Sequence, residues 1–161
     1  MSLAKGKFAE VLVFRHLLGK GYQVYIPIVD TGVDFIVEPP EPKQNKFIGI
    51  QVKTSSYQPK SGWWLWSVYR DERREGSPFF YVLCLENIDV LPKRIRAKSE
   101  DGVLCFIIPY KELDKQLMKR SEAWTKKGEF SLSINKQSFE TGRSKWLEFL
   151  EPYLNNWDML Q

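Results

Sequence analysis

The chain has 161 residues, with 24 Lys plus Arg against 20 Asp plus Glu and a net charge of +4 at neutral pH. That length suits one domain with a core of its own, and 43% hydrophobic with 14% aromatic residues excludes a disordered or fibrous chain. The longest apolar run, Phe79–Leu85, is far shorter than the roughly 18–20 residues that cross a bilayer. No leader-like segment opens the sequence and two cysteines in unlike settings make no disulfide framework, so a reducing cytoplasm is the expected setting.

Residues 4–20 have the spacing of a helix: Phe8, Val11, Leu12, Val13, Phe14, Leu17 and Leu18 form a wide apolar face, and Gly19 and Gly21 end it. Aromatic and β-branched content predicts strands over 22–28 and 33–38, separated by the Asp30-Thr31-Gly32 turn and closed by Pro39, Pro40 and Pro42. A polar loop, Lys43–Lys46, leads to an alternating strand over 47–54. Further strands are expected over 63–68, 79–85 and 103–108, then a helix over 110–120 started near Pro109, a short strand over 130–134 and a helix over 144–150. A helix, a run of antiparallel-looking strands and further helices make an α+β or α/β domain built on a mixed sheet, spanning residues 1–161 with no internal linker.

Two clusters of cations stand out. Arg70, Arg73 and Arg74 are interleaved with Asp71, Glu72 and Glu75 and nearly cancel, whereas Lys93, Arg94, Arg96 and Lys98 meet no acid until Glu100. The second is the better set of phosphate contacts; a solvated loop is the plainer reading of both. Trp63, Trp64 and Trp66 crowd one strand, either as a stacking surface for bases or, the favoured reading, as packing, and Trp124, Trp146 and Trp157 look like packing anchors. His16 has no His or Cys neighbour to share a zinc ion, and Cys84 and Cys105 sit in apolar runs as small buried hydrophobes. A Gly-rich phosphate loop is absent, against an NTPase or dinucleotide enzyme.

The chemistry concentrates on the strand Phe47-Ile-Gly-Ile-Gln-Val-Lys-Thr54. Alternation puts Ile48, Ile50 and Val52 on one face and Gly49, Gln51 and Lys53 on the other. If this strand pairs with 33–38 around the Pro-rich loop, Asp34 and Gln51 fall at similar distances from it, with Lys53 one pleat further. A carboxylate, an amide oxygen and an ammonium converging on one patch suit divalent-metal phosphate chemistry, because Mg²⁺ takes oxygen ligands. Glu10 falls on the apolar helix stripe, where a carboxylate needs a partner; a plain helix-surface acid is the alternative. Asp34 could equally stabilise its turn, and Asp30 is the reserve ligand.

The ordered set Gly6-xxx-Glu10, Asp30-x-Gly32-x-Asp34-Phe-Ile-Val and Ile48-Gly-Ile-Gln51-Val52-Lys53-Thr54-Ser55 resembles the PD-(D/E)xK nuclease superfamily, nearest to homing-endonuclease-like and uncharacterised bacterial members that carry Gln-x-Lys. The resemblance covers residues 4 to about 56 by motif. It implies a restriction-endonuclease-like mixed central sheet flanked by helices, and Mg²⁺- or Mn²⁺-dependent hydrolysis of DNA phosphodiesters. Asp34 would be the principal metal ligand, Gln51 the second, the Val52 carbonyl the third, Lys53 the catalytic lysine and Glu10 a supporting acid. Val33 stands where the family has proline, and Gln51 where it usually has an acid. The expected partner is DNA, with a homodimer as the arrangement that cuts both strands. The competing expectations are a nucleic-acid-binding module with impaired catalysis and a protein-interaction domain using the tryptophan-rich strand.

Overall fold

The structure is a computed structural model that describes residues 3–29, 31–41, 46–70, 74, 76–119, 128–142 and 144–161. Its elements in chain order are α1 (Leu3–Gly19), β1 (Gln23–Tyr25), β2 (Phe35–Glu38), β3 (Ile48–Ser56), β4 (Trp63–Tyr69), β5 (Phe79–Glu86), α2 (Lys93–Arg96), β6 (Leu104–Pro109), α3 (Tyr110–Met118), β7 (Glu129–Asn135), α4 (Lys136–Thr141) and α5 (Lys145–Leu150). Asp30 and Trp124 lie outside the described residues.

Five strands form the central sheet in the order β1-β2-β3-β5-β6. Its pairings are antiparallel except β3–β5, which is parallel and in register from Gly49↔Phe79 to Ser56↔Glu86. This mixed α+β sheet flanked by helices is the expected class, but the run of antiparallel strands is interrupted at its centre. A parallel pair cannot be closed by a tight turn and needs a crossover of a dozen or more residues. Here the crossover contains β4, which leaves the sheet and pairs with β7 as a separate antiparallel ribbon. Alternation along β4 predicts a strand but carries no information about which sheet it joins.

Two hydrophobic clusters flank the central sheet. On one face Ala9, Leu12, Val13 and Leu17 of α1 pack with Ile48, Ile50, Val52, Val82 and Cys84, joined by Trp157 and Leu160 near the chain end. Phe8, Val11 and Leu18, expected on this face, are exposed, so the buried stripe is narrower than the apolar pattern. Gly21, at φ 82°, turns the chain out of α1, and Tyr22 N–H reaches back to the Leu17 carbonyl at 3.1 Å, as left-handed helix ends do. On the other face Tyr81, Leu83 and Leu85 meet Trp64, Trp66 and Val68 of β4, Leu132 and Ile134 of β7, and Leu113 and Leu117 of α3. The Trp64 and Trp66 indoles are fully desolvated and donate to β5 carbonyls, Trp64 to Glu86 at 2.8 Å and Trp66 to Cys84 at 3.2 Å. These two tryptophans are therefore packing residues that fasten the ribbon to the sheet, while Trp63 is 40% exposed.

The strand expected over 22–28 is confined to Gln23–Tyr25, with Ile26, Ile28 and Val29 exposed beyond it. Two short helices, α2 and α4, went unforeseen; Asn135 caps α4 by accepting the Ser138 N–H at 2.7 Å. The cysteines, read as unrelated, face each other across β5 and β6 with Sγ atoms 3.1 Å apart, both buried and unlinked. His16 packs into the fold: its Nδ1 lies 2.7 Å from Glu100 and its ring stacks on Trp157 at 4.1 Å.

Gly49 sits beneath the Phe79 ring, where an added Cβ would come within 2.7 Å of Cδ2. That ring is hemmed in edge-on by Tyr81 and Tyr110, so it has little room to yield. Gly49→Ala is expected to cost about 1–3 kcal/mol, read as a lowered denaturant midpoint with an unchanged slope.

Candidate active site

The strand register that brings the site together is set by β2 and β3, where Phe35 opposes Ile50 and Val37 opposes Ile48. Asp34 is the residue just before β2. Its N–H donates to the Ile50 carbonyl at 2.9 Å, and its Oδ2 accepts the Val52 N–H at 2.7 Å. The acid at 34 therefore meets β3 between Gln51 and Lys53, as the hairpin count predicts. Backbone groups of alternate strand residues point to alternate edges. Gly49 donates towards β5 and Ile50 accepts from Asp34, so the Val52 carbonyl, like its N–H, faces the edge where Asp34 stands.

Burial raises the Asp34 pKa above the ordinary aspartate value, more than the Val52 N–H lowers it; the Glu10 charge raises it further, and Lys53 and Lys7 lower it. These opposing effects put Glu10 and Lys53 within electrostatic reach of Asp34. Glu10 lies on the edge of α1, one-quarter exposed, and accepts from Lys7 Nζ at 2.6 Å. A half-buried carboxylate whose ionisation the surroundings leave undercompensated, beside a backbone carbonyl on the same edge, is an oxygen donor set that fits a hard divalent cation.

Gln51 and Lys53 project onto the face of β3 away from α1, into an open cleft of about 430 Å³ bordered by Thr31, Gly32, Tyr69, Arg70 and Arg74; Asp34 is not among the residues that line it. Lys53 Nζ lies 5.7 Å from the centre of the Tyr69 ring. Gln51 is only 8% exposed, and its amide oxygen accepts from Arg74 Nη1 at 3.3 Å. Arg74 also donates to Tyr81 Oη at 2.8 Å and to the Gly32 carbonyl at 3.0 Å, with its guanidinium 4.1 Å from the Phe79 ring centre. Tyr81 in turn donates to the Tyr69 carbonyl at 3.0 Å. Arg70 pairs with Asp114 at 3.1 Å. A larger groove of about 880 Å³, walled by Pro39, Pro40, Pro78 and Pro109, also borders Arg74 and Phe79; it lacks Gln51 and Lys53.

Sequence reasoning missed Arg74, because in a loop of alternating charges its sign is nearly cancelled by its neighbours along the chain. The available signal was Tyr81, a hydroxyl inside an otherwise apolar strand, which needs a polar partner. The cations Lys93, Arg94, Arg96 and Lys98 lie elsewhere: α2 carries the first three, Arg94 donates to the Phe139 carbonyl, and Arg96 to that of Leu91. Phe139 follows the Asn135 end of β7, whereas Tyr69, on the cleft, pairs with the Glu129 end. The basic cluster is thus a ribbon's length from the cleft, about 20 Å at 3.3 Å per residue.

No protein-family model and no curated protein matches the chain. Among solved structures, the bacterial homing endonuclease I-Ssp6803I matches with a TM-score of 0.54 at 14% identity, over 99% of this chain and 91% of that one. At that identity the likeness establishes the fold: the mixed sheet and its flanking helices are an arrangement also found in a nuclease.

Proposed function

We propose that the chain is a metal-dependent DNA endonuclease of the PD-(D/E)xK type, with the cleft beside Asp34, Gln51 and Lys53 as its active site. The observation that carries this reading is the 2.7 Å bond from the Val52 N–H to Asp34, which brings the acid onto the Gln-x-Lys strand of a sheet whose arrangement recurs in a homing endonuclease.

Asp34 and the Val52 carbonyl would hold Mg²⁺ or Mn²⁺, with the second lone pair of the Gln51 amide oxygen as a further donor. Such an ion supplies Lewis-acid polarisation of the phosphoryl group and a more acidic water. Lys53, on the cleft side of the same strand, orients the attacking water and offsets the negative charge that gathers on the phosphoryl oxygens as water adds and the ester oxygen leaves. Glu10 acts through the field at Asp34, with Lys7 holding its carboxylate. Lys93, Arg94, Arg96 and Lys98 serve as phosphate contacts away from the reacting bond, giving affinity without sequence information. A DNA-binding module without cleavage is the second reading, favoured by Gln51 standing where an acid would attract the cation more strongly.

Wild-type protein is expected to nick or cut DNA with Mg²⁺ or Mn²⁺, and Asp34→Ala and Lys53→Ala each to lose at least about a hundredfold in cleavage while still shifting DNA in a gel. Folded wild-type protein that binds DNA yet yields no product with either metal on linear, nicked and supercoiled substrates would favour the second reading.

Stability without metal tests the cation fit. The Asp34 pKa lies above that of the unfolded chain, so stability from the neutral carboxyl is full below the ordinary aspartate value of about 3.9 and is lost as pH climbs through the raised one. In EDTA, Asp34→Asn, which keeps an oxygen for the Val52 N–H, is expected to melt above wild type at neutral pH and level with it in acid. A wild type that melts higher at neutral pH would mean that the protein alone compensates the carboxylate.

A further inference from the structure

Arg74 is built into the cleft more firmly than a loop cation needs to be. Its guanidinium lies against the Phe79 ring, and it donates to the Gln51 amide oxygen, the Tyr81 hydroxyl and the Gly32 carbonyl. Gly32 leaves room for it: with φ at 73°, an added Cβ would come within 2.9 Å of Arg74 Nη2. A planar fork already fixed by acceptors and a ring face loses little freedom when it receives an anion. It shares the cleft with Lys53, across Gln51.

We infer that Arg74 and Lys53 form the phosphate seat of this cleft, and that position 51 carries an amide because the side chain there must hold Arg74 without adding negative charge beside it. The inference rests on the nuclease reading for the identity of the anion, a DNA phosphodiester. It reassigns the main work of Gln51. An acid at 51 would strengthen a cation site, but at the 3.3 Å separation seen here it would also pair with the guanidinium and oppose the phosphate. An amide oxygen accepts the same hydrogen bond and leaves the seat cationic.

The decisive variant is Gln51→Glu, because the two roles of residue 51 give opposite results. Affinity for a labelled mixed-sequence 30-base-pair duplex is measured in EDTA over a series of salt concentrations, and Mn²⁺ affinity separately by calorimetry. With Arg74 on phosphate, Arg74→Ala is expected to weaken duplex binding about tenfold and to make the slope of log K against log salt shallower by about 0.9, the value for one lost contact. Gln51→Glu should weaken metal-free binding in the same direction, and adding it to Arg74→Ala should cost little more. Arg74→Lys, which keeps the charge and loses the fork, should retain the slope. Thermal melts confirm that each variant is folded; if Arg74→Ala fails to fold, Gln51→Glu carries the test alone.

Unchanged duplex affinity in Gln51→Glu, together with tighter Mn²⁺ binding and faster cleavage, would overturn the inference and leave Gln51 as a metal ligand. So would a folded Arg74→Ala with wild-type affinity and slope, or wild-type protein that binds no duplex at low salt. If wild type binds DNA without cutting it while the Arg74 and Gln51 variants behave as expected, the phosphate seat stands and the endonuclease reading fails.

Discussion

Where β2 stops, β3 continues, and the Val52 N–H on its β2 edge must find an acceptor or remain a buried donor without one. Asp34 supplies it from the first position outside β2, at 2.7 Å. The bond terminates a strand pairing and draws a carboxylate to the side of Gln51 and Lys53. It also explains why the carboxylate is strained: the geometry that satisfies the backbone holds Asp34 in a half-buried setting, where desolvation outweighs the help of one N–H. The half-buried setting of Asp34 thus follows from a problem of strand termination.

The parallel pairing of β3 with β5 places the anchor of Arg74 beside Gln51. Because the register is in step, Tyr81 of β5 stands beside Gln51, and Arg74, a few residues before β5, reaches the cleft. It is anchored by Phe79 and Tyr81 only five and seven positions later. The ribbon of β4 and β7, pinned by the Trp64 and Trp66 indoles, shares that sheet face with α3 and brings Tyr69 to the edge of the opening.

How much of this was legible in the sequence depends on the range of the signal. Alternation along β3 and the proline-rich loop before it fix which residues share a face and roughly which partner they meet, so Asp34, Gln51 and Lys53 could be assembled by counting. Partnerships between distant segments leave no such trace. Nothing in the pattern Trp-Trp-Leu-Trp-Ser-Val-Tyr tells that β4 leaves the main sheet, or that Cys84 faces Cys105. Charge order was misleading for Arg74: alternating signs along a loop suggest cancellation, yet the fold turns one guanidinium inward to the Tyr81 hydroxyl. The width of the apolar face on α1 was overestimated because Phe8, Val11 and Leu18 are as hydrophobic as their buried neighbours.

The crossover that joins β3 to β5 has one more implication. The acid at 34 and the lysine at 53 are held by the central sheet and its edge, whereas the guanidinium of Arg74 comes from the returning limb of the crossover. Lengthening, shortening or recharging that limb changes what the opening attracts while leaving the scaffold and its acid intact. Divergence between proteins of this architecture should therefore accumulate there first, and an engineer wishing to retarget the opening would begin with the same few residues.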